Sequence, residues 1–361
     1  MHSFNQSIKR IGFACKWAEI NKKGEIASTE GLNTGGTTMA WANRNARSKV
    51  EDKIIDVAKN NIMNTHNLIK KVATLPKELR MLRITSDMLS FYTHDDYKMF
   101  WRDPYIQNLL EHWFAPLGET ACANDVRLSF HPDQFVVLAS DRPEVVNKSI
   151  EEFEYHVDMA RWMGYGKQFQ DIKINVHIAG RAGPEGIRQA YKRLSPEARN
   201  TLTIENEEMT HDLHTVLEIA DLVPIVMDIH HHWVNSGEYI EPTDDRVKKV
   251  IDSWRGVRPT CHYSVSREDV LTGHKTDERP DLKTLMERLR ETESKKGGQV
   301  DTRVENLQER VRELQNKLFE VRKRREEMAR ELGRAEGALE ASHVTVEAIV
   351  PVPHVRQFVR E

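Results

Sequence analysis

Residues 172–178 read IKINVHI, a short run of apolar and β-branched residues that carries a histidine next to its last position. Runs of this length and composition are typical of buried strands in a parallel sheet. Seven further runs of the same kind are spaced along the chain, which predicts eight strands in all. These seven are Ile11–Cys15, Met81–Thr85, Val126–Phe130, Thr201–Ile204, Val223–Ile229, Pro259–Tyr263 and Val344–Ile349.

The segments between these strands have helix-like sequences, for example residues 52–71, 143–163, 184–194 and 211–222. Regular alternation of strand and helix indicates a parallel α/β sheet. Because eight strands suffice to close a sheet on itself, we expect a TIM-type (β/α)8 barrel rather than an open sheet. A loop rich in Gly, Thr and Asn, residues 31–46, follows the first strand on the face where such barrels carry their active sites.

The C-terminal part of the chain has a different pattern. Between residues 304 and 339 apolar residues recur at spacings of three and four, interrupted once by Arg325. This heptad pattern predicts a coiled-coil helix of roughly 54 Å. We therefore divide the chain into a barrel at 1–280, a helical segment at 281–340, and a closing strand with a tail at 341–361. The helix is expected to join copies of the chain into a homo-oligomer, or alternatively to pack along the barrel.

Composition and charge argue against a membrane-spanning protein, a secreted protein and a strongly basic DNA-binding protein. The 361 residues include 53 basic and 56 acidic ones, for a net charge of −3. Any contact with DNA would therefore need a locally basic face, or metal cations in an acidic cleft. The three cysteines form no CxxC pair, which fits a reducing, cytoplasmic compartment. We find no apolar run of about 18 residues that would cross a membrane, and Met1–Arg10 lacks the apolar core of a signal peptide.

Histidines and carboxylates lie at the carboxyl ends of six successive predicted strands. The set is His94, His131, His177, Glu205, Asp228, His231 and His262. In a parallel barrel these ends open into one mouth, where so many imidazoles and carboxylates are costly unless cations coordinate them. The set exceeds the three protein ligands of a single catalytic zinc ion, which predicts a cluster of two or three divalent ions. Mixed nitrogen and oxygen ligands suit Mn²⁺ or Zn²⁺ better than Mg²⁺. His274, after the seventh strand, is a further candidate ligand.

The sequence around these ligands resembles the UV damage endonuclease family, a branch of the endonuclease IV-like and xylose isomerase-like TIM barrels. The likeness extends from about Ile11 to His274. HPxQ followed by an aromatic residue, together with ExxE and DxxHH, makes it specific. The matching motifs are LRITSDMLSFYTH (82–94), LSFHPDQFVVL (128–138), INVHIAG (174–180), LTIENEE (202–208), VPIVMDIHHH (223–232) and CHYSVSRED (261–269).

The resemblance implies a DNA repair enzyme with three metal ions, often Mn²⁺, on a barrel. Such an enzyme nicks the phosphodiester bond of double-stranded DNA on the 5′ side of UV photoproducts, and often of other lesions. The resemblance makes the strand-end residues metal ligands, with Glu205 bridging ions and Asp228 and His231 beside it as catalytic residues. Gln134 and Phe135 match a pair that enters the duplex at the lesion, where an aromatic ring can replace a lost stacking partner.

Other positions of the family pattern are matched less fully. Asn43 and Arg44 match an Asn-Arg pair in the first loop, which is expected to contact the phosphate backbone. Phe13, another candidate DNA contact, lacks the hydroxyl of the tyrosine that relatives carry there. Thr260 replaces a lysine that a relative places near the metals. The family's last glutamate ligand lies on the closing strand before a lysine, and Glu347 is assigned to it although the lysine is missing.

Three alternative functions remain open on the sequence alone. An abasic-site endonuclease of the endonuclease IV type would share the metals but not the Gln134–Phe135 pair. A metal-dependent sugar isomerase or epimerase would use a similar barrel, but it needs neither an aromatic probe nor this many ligands. A non-enzymatic coiled-coil assembly module would carry a vestigial barrel, which the nearly complete ligand set disfavours.

The heptad segment generates the first testable prediction. An isolated helix of this kind would expose a continuous apolar stripe to water, so a partner should cover it. Replacing residues 300–340 by a short Gly/Ser bridge should yield a smaller particle in light scattering, with catalytic activity retained. A wild-type chain that stays strictly monomeric at micromolar concentration would contradict self-association and favour a helix packed within the chain.

Overall fold

Parallel strands form the central sheet of the protein. The computed structural model describes residues 10–20, 26–27, 29–133, 135–208, 210–236, 240–263 and 345–348. Gln134, His274 and the heptad segment at 304–339 lie outside the described residues, so the predictions about them stay predictions.

Eight strands of this sheet follow one another in chain order, and every neighbouring pair is parallel. Each corresponds to one of the eight strands predicted from the sequence. In chain order the strands of the protein are β1 (Phe13–Ala14), β2 (Glu19–Ile20), β3 (Ile26–Ala27), β4 (Met81–Ile84), β5 (Arg127–Phe130), β6 (Lys173–His177), β7 (Leu202–Glu205), β8 (Ile225–Asp228), β9 (Thr260–Tyr263) and β10 (Thr345–Ala348). Strands β2 and β3, which the sequence did not predict, pair with each other as an antiparallel hairpin.

Helices separate most of the parallel strands, as the alternating pattern predicted. They are α1 (Met39–Ala42), α2 (Arg47–Ala73), α3 (Lys98–Trp101), α4 (Pro104–Ala123), α5 (Pro143–Trp162), α6 (Gly183–Arg193), α7 (Pro196–Thr201), α8 (Leu213–Val216), α9 (Ile229–Ser236) and α10 (Asp245–Ser253). Short 3-10 turns occupy Lys77–Leu79 and Leu217–Ile219. The helix predicted at 211–222 is therefore shorter and irregular. Among the described helices none is long and apolar enough to cross a membrane.

Local sequence explains where the main helices begin. Helix α4 starts at Pro104, which has no N–H to satisfy, and the Asp103 carboxylate accepts hydrogen bonds from the first free backbone N–H groups. Helix α5 also starts with a proline, Pro143. The prediction for α5 was correct to within one residue at its carboxyl end, where Met163 lies just beyond the helix.

The core lies between the sheet and the helices. Strands β7 and β8 are buried at every position, as expected for parallel strands covered on both faces. Phe130, Ile174, Ile204 and Ile225 are fully buried on four neighbouring strands. Because this packing fixes each strand against the next, it also fixes the height of the side chains at the strand ends.

Strand register brings the strand-end residues to one level. His177 on β6 pairs with Glu205 on β7, and Asp228 on β8 pairs with His262 on β9. On the far side of β9, Glu347 of β10 is the register partner of His262. The carboxyl ends of β6 through β10 therefore present their polar residues at the same edge of the sheet.

The close approach of α4 to the end of α5 can be tested at Gly118. A Cβ atom at this position would lie 1.8 Å from the carbonyl oxygen of Met163. Because the obstacle is backbone, Gly118→Ala should destabilise the protein by about 1–3 kcal/mol, although alanine favours helices. Urea denaturation followed by circular dichroism measures the change. Gly36→Ala is the control, since no atom lies within 4 Å of its Cβ. Wild-type stability of Gly118→Ala would contradict the close packing.

Candidate metal centre

The carboxylate of Glu205 lies at the centre of the site. Its side chain, at the carboxyl end of β7, is 1% exposed. Two groups of potential metal ligands can be drawn among the described residues, and Glu205 belongs to both. One group adds His131 and His262, and the other adds His177 and His231. In each group the ligand atoms lie within 4.8 Å of one another.

The two carboxylate oxygens of Glu205 face different histidines. Oε1 accepts a hydrogen bond from Nδ1 of His262 at 2.8 Å and lies 3.6 Å from Nδ1 of His231. Oε2 lies 3.1 Å from Nε2 of His131 and 3.9 Å from Nε2 of His177. Each oxygen therefore faces one histidine from each group, so both groups share the whole carboxylate.

The imidazole rings pack against one another around this carboxylate. Ring centroids are 4.9 Å apart for His131 and His177, 5.7 Å for His131 and His262 and 5.3 Å for His177 and His231. Such a concentration of nitrogen ligands around a buried anion is what a divalent cation site requires. The residues present therefore fit a metal centre.

Electrostatics favours the metal-binding forms of Glu205 and His131. Burial alone would raise the pKa of Glu205, but the neighbouring imidazoles, led by His262, outweigh it and hold that pKa well below the usual range. Burial lowers the pKa of His131 to about 4. Burial alone would also lower the pKa of His231, yet the carboxylates of Asp228 and Glu205 raise it. At neutral pH, Glu205 is thus an anion and His131 a neutral imidazole, the forms that coordinate cations.

A change from strand to helix orients Asp228 and His231. The strand predicted at Val223–Ile229 ends one residue earlier, at Asp228, and α9 begins at Ile229, directly after β8. Residues three apart lie on the same side of a helical turn, and the backbone N–H of His231 donates to Oδ1 of Asp228 at 2.8 Å. The flanking histidines point elsewhere: His230 stacks on Trp233, and His232 is buried.

Hydrogen bonds also fix which nitrogen of His231 is available. Its Nδ1 donates to the carbonyl oxygen of Asn206 at 3.0 Å. Nε2 then faces carboxylates, with Oε2 of Glu208 at 3.5 Å and Oδ2 of Asp228 at 3.8 Å. Glu208 was not among the predicted ligands, although the ExxE spacing from Glu205 contained the signal.

The Asn206 amide exchanges two hydrogen bonds with the backbone of Asp228, which ties the ends of β7 and β8 together.

Two further residues that the sequence did not predict lie near the centre. Lys173, at the start of β6, is buried, and its Nζ lies 3.1 Å from Nε2 of His262. Nε2 of this ring therefore faces the lysine while Nδ1 faces Glu205. Asn175 is fully buried, and its amide donates a hydrogen bond to Oε2 of Glu205. The sequence pattern gave no role to either residue.

Other predicted ligands lie apart from the two groups or outside the described side chains. Asp228 belongs to neither group among the described residues, and the same is true of His94. Its Nδ1 accepts the backbone N–H of Asp96 at 3.2 Å, and its ring packs beside Phe91 and Tyr97. The backbone of Glu347 is next to His262 across β9 and β10.

The predicted DNA-contacting residues have different degrees of exposure. Phe135, shortly after His131, is 78% exposed, which is unusual for a large apolar side chain and excludes a place in the core. Asn43 and Arg44 are also exposed, just after α1. Phe13 is 8% exposed and packs edge-on against Trp17. Its position is therefore one of core packing and leaves it little surface for DNA.

A polar cleft of about 750 Å³ lies beside the loops that follow β1, β4 and β5. Its lining includes Lys16, Gly35, Asp87, His94 and Asp133. Both charged signs line this cleft, and His94 is exposed to it. The cleft lies on the same side of the sheet as the carboxyl ends of these strands.

Comparison with known proteins agrees with these features. The family model described as UV-endonuclease UvdE matches residues 9–324. A UV DNA damage endonuclease from Bacillus velezensis is 27% identical over 247 residues, which cover 66% of this chain and 74% of that protein. A protein of the same name from Bacillus thuringiensis subsp. konkukian is 26% identical over 228 residues, covering 61% and 68%. The crystal structure of SacUVDE, at 23% identity, has a similar fold with a TM-score of 0.57 and covers 76% of this chain and 83% of that one. Because the family model matches most of its length, the chain belongs to the UV-endonuclease UvdE family.

Proposed function

We propose that this chain is a divalent-metal-dependent DNA repair endonuclease that nicks double-stranded DNA on the 5′ side of UV photoproducts. The place of Glu205 in two groups of ligands is the observation that carries the proposal. Phosphodiester hydrolysis in two-metal sites needs cations that contact both the attacking and the leaving oxygen. Membership in the UvdE family and the names of the relatives support damaged DNA as the substrate.

The metal cluster is expected to contain two or three ions, with Mn²⁺ preferred and Zn²⁺ as the second choice. When bound, such ions supply positive charge to the phosphate and lower the pKa of water. The residues that would hold them are His131, His177, Glu205, Asp228, His231 and His262, completed by His94, His274 and Glu347. Glu208 joins this set because it faces Nε2 of His231.

The sheet is expected to close into a (β/α)8 barrel through contact between β1 and β10. Two features support closure: all eight strands are parallel, and they follow chain order from one edge to the other. Closure would complete the mouth by bringing the loop after β1 beside Glu347 of β10.

Contact with the lesion is assigned to Phe135 together with Gln134. An aromatic ring that is 78% exposed carries a free-energy cost in water, which stacking in a disrupted duplex would relieve. Asn43 and Arg44, exposed on the loop after the first strand, would contact phosphates. The cleft beside His94 would then receive the damaged strand.

Incision of a duplex carrying one thymine dimer tests the proposed function. With Mn²⁺, the wild-type protein should cut immediately 5′ of the dimer, as mapped on end-labelled products. Glu205→Gln should reduce the single-turnover rate at least 100-fold, because loss of the shared charge removes several kcal/mol of stabilisation. Elemental analysis should show fewer bound ions in this variant.

Controls separate this expectation from its alternatives. Glu144→Gln makes the same substitution at an exposed position of α5 and should cut like the wild type. A duplex with one abasic site tests the endonuclease IV type of activity. Cutting of the abasic duplex alone would instead indicate an abasic-site endonuclease of the endonuclease IV type. Activity of Glu205→Gln within about tenfold of wild type would contradict the bridging role of Glu205.

Discrimination between damaged and undamaged DNA tests the role of Phe135. The double variant Gln134→Ala and Phe135→Ala should lose most of the preference for the dimer-containing duplex, while its metal content stays at the wild-type level. Competition binding at fixed salt is the measurement, because phosphate contacts contribute salt-dependent affinity that does not depend on the lesion. Phe135→Tyr keeps the ring and should keep the preference. Unchanged discrimination in the double variant would rule out the lesion contact.

A further inference from the structure

Two neutral side chains to which the sequence motifs gave no role are linked by hydrogen bonds to the carboxylate of Glu205. They are Asn175 on β6 and Thr203 on β7, and both are fully buried. Residues two apart on a strand share one face of the sheet. Asn175 is thus on the same face as His177, and Thr203 is on the same face as Glu205.

Strand register stacks these four residues in two levels. Asn175 is the register partner of Thr203, and His177 is the register partner of Glu205. The upper level holds two candidate metal ligands, and the level beneath holds an amide and a hydroxyl. The lower pair is therefore placed to act on the ligands without touching an ion itself.

The hydrogen bonds run in one direction, from the hydroxyl to the carboxylate. Oγ1 of Thr203 donates to Oδ1 of Asn175 at 2.8 Å. The Nδ2 group of Asn175 then donates to Oε2 of Glu205. Because an ionised carboxylate can only accept, Glu205 selects the amide orientation in which N–H faces it, and the Thr203 hydroxyl then holds the amide oxygen by donating to it. The opposite orientation would place two oxygen acceptors against each other.

We propose that Thr203 and Asn175 are positioning residues that hold the Glu205 carboxylate in its ion-bridging orientation. The inference rests on the proposed metal-dependent function of this site. Oε2 is held toward His131 and His177, which leaves Oε1 directed at His262 and His231. An amide donor does this without adding a positive charge, so it does not repel the cations that share the carboxylate. Partners of ligands in this position typically change metal affinity by about 10–100-fold.

Thr203→Val tests the proposal because it keeps the shape of the side chain and removes the hydroxyl. Mn²⁺ binding to the chelator-stripped full-length chain, measured by calorimetry and by elemental analysis after dialysis, should weaken about tenfold or more. Thr203→Ser keeps the donor and should restore affinity to within about twofold of wild type. Asn175→Ala removes the amide itself and should weaken Mn²⁺ at least as much as Thr203→Val.

Thr201→Val is the matched control for general destabilisation. Thr201, the last residue of α7, is also fully buried, two residues before Thr203, and its hydroxyl donates to the carbonyl oxygen of Ala198. Its loss should lower the melting temperature without changing Mn²⁺ affinity. Wild-type affinity in folded Thr203→Val or Asn175→Ala would overturn the positioning role, as would an equal loss in Thr201→Val.

The failure of this proposal can be told from failure of the proposed function. A wild-type chain that binds Mn²⁺ but leaves dimer-containing DNA uncut would refute the endonuclease assignment, while the affinity series still decides the role of Thr203. A chain that cuts such DNA and binds Mn²⁺ equally well with and without the Thr203 hydroxyl would refute the positioning role alone. A wild-type chain that binds neither Mn²⁺ nor Zn²⁺ would overturn both.

Discussion

The contact between the Glu205 carboxylate and the imidazoles around it compensates for burying a negative charge. A carboxylate that is 1% exposed costs several kcal/mol unless hydrogen bonds or cations compensate for lost hydration. Here Nδ1 of His262 and Nδ2 of Asn175 donate to it, while the rings of His131 and His177 lie nearby. The same arrangement that makes the anion tolerable also surrounds it with nitrogen ligands, so stability and metal binding depend on one set of contacts.

This requirement explains why strand register matters for function in this fold. The residues around Glu205 come from β5, β6, the β8–α9 junction and β9, and each reaches the carboxylate only at its present level. A slip of one residue would turn a strand's side chains to the opposite face. The buried apolar positions beneath, such as Ile174 and Ile204, resist such a slip because it would expose them to polar surroundings. Core packing therefore protects the geometry of the site.

The loops that follow the strands carry the exposed side chains of this site. Phe135 is exposed and only four residues after His131. A DNA contact at Phe135 would therefore lie close in the chain to this candidate metal ligand. The loop after the first strand contributes Asn43 and Arg44 on the surface, whereas Phe13 on the strand itself is buried against Trp17. Within the family pattern, exposure thus separates positions that can reach a substrate from positions that support the core.

Local sequence patterns determined the eight strands and the polar residues at their ends, because strand composition and spacing act over a few residues. They also pointed to Glu205 as a shared ligand through its resemblance to a known motif. The tertiary structure alone decided which oxygen faces which ring, placed Glu208 against His231 and left His94 outside both groups. It also brought Thr203 and Asn175 beneath the carboxylate. These relations join residues distant in the chain through register and side-chain direction, which depend on packing of the whole sheet and not on any local pattern.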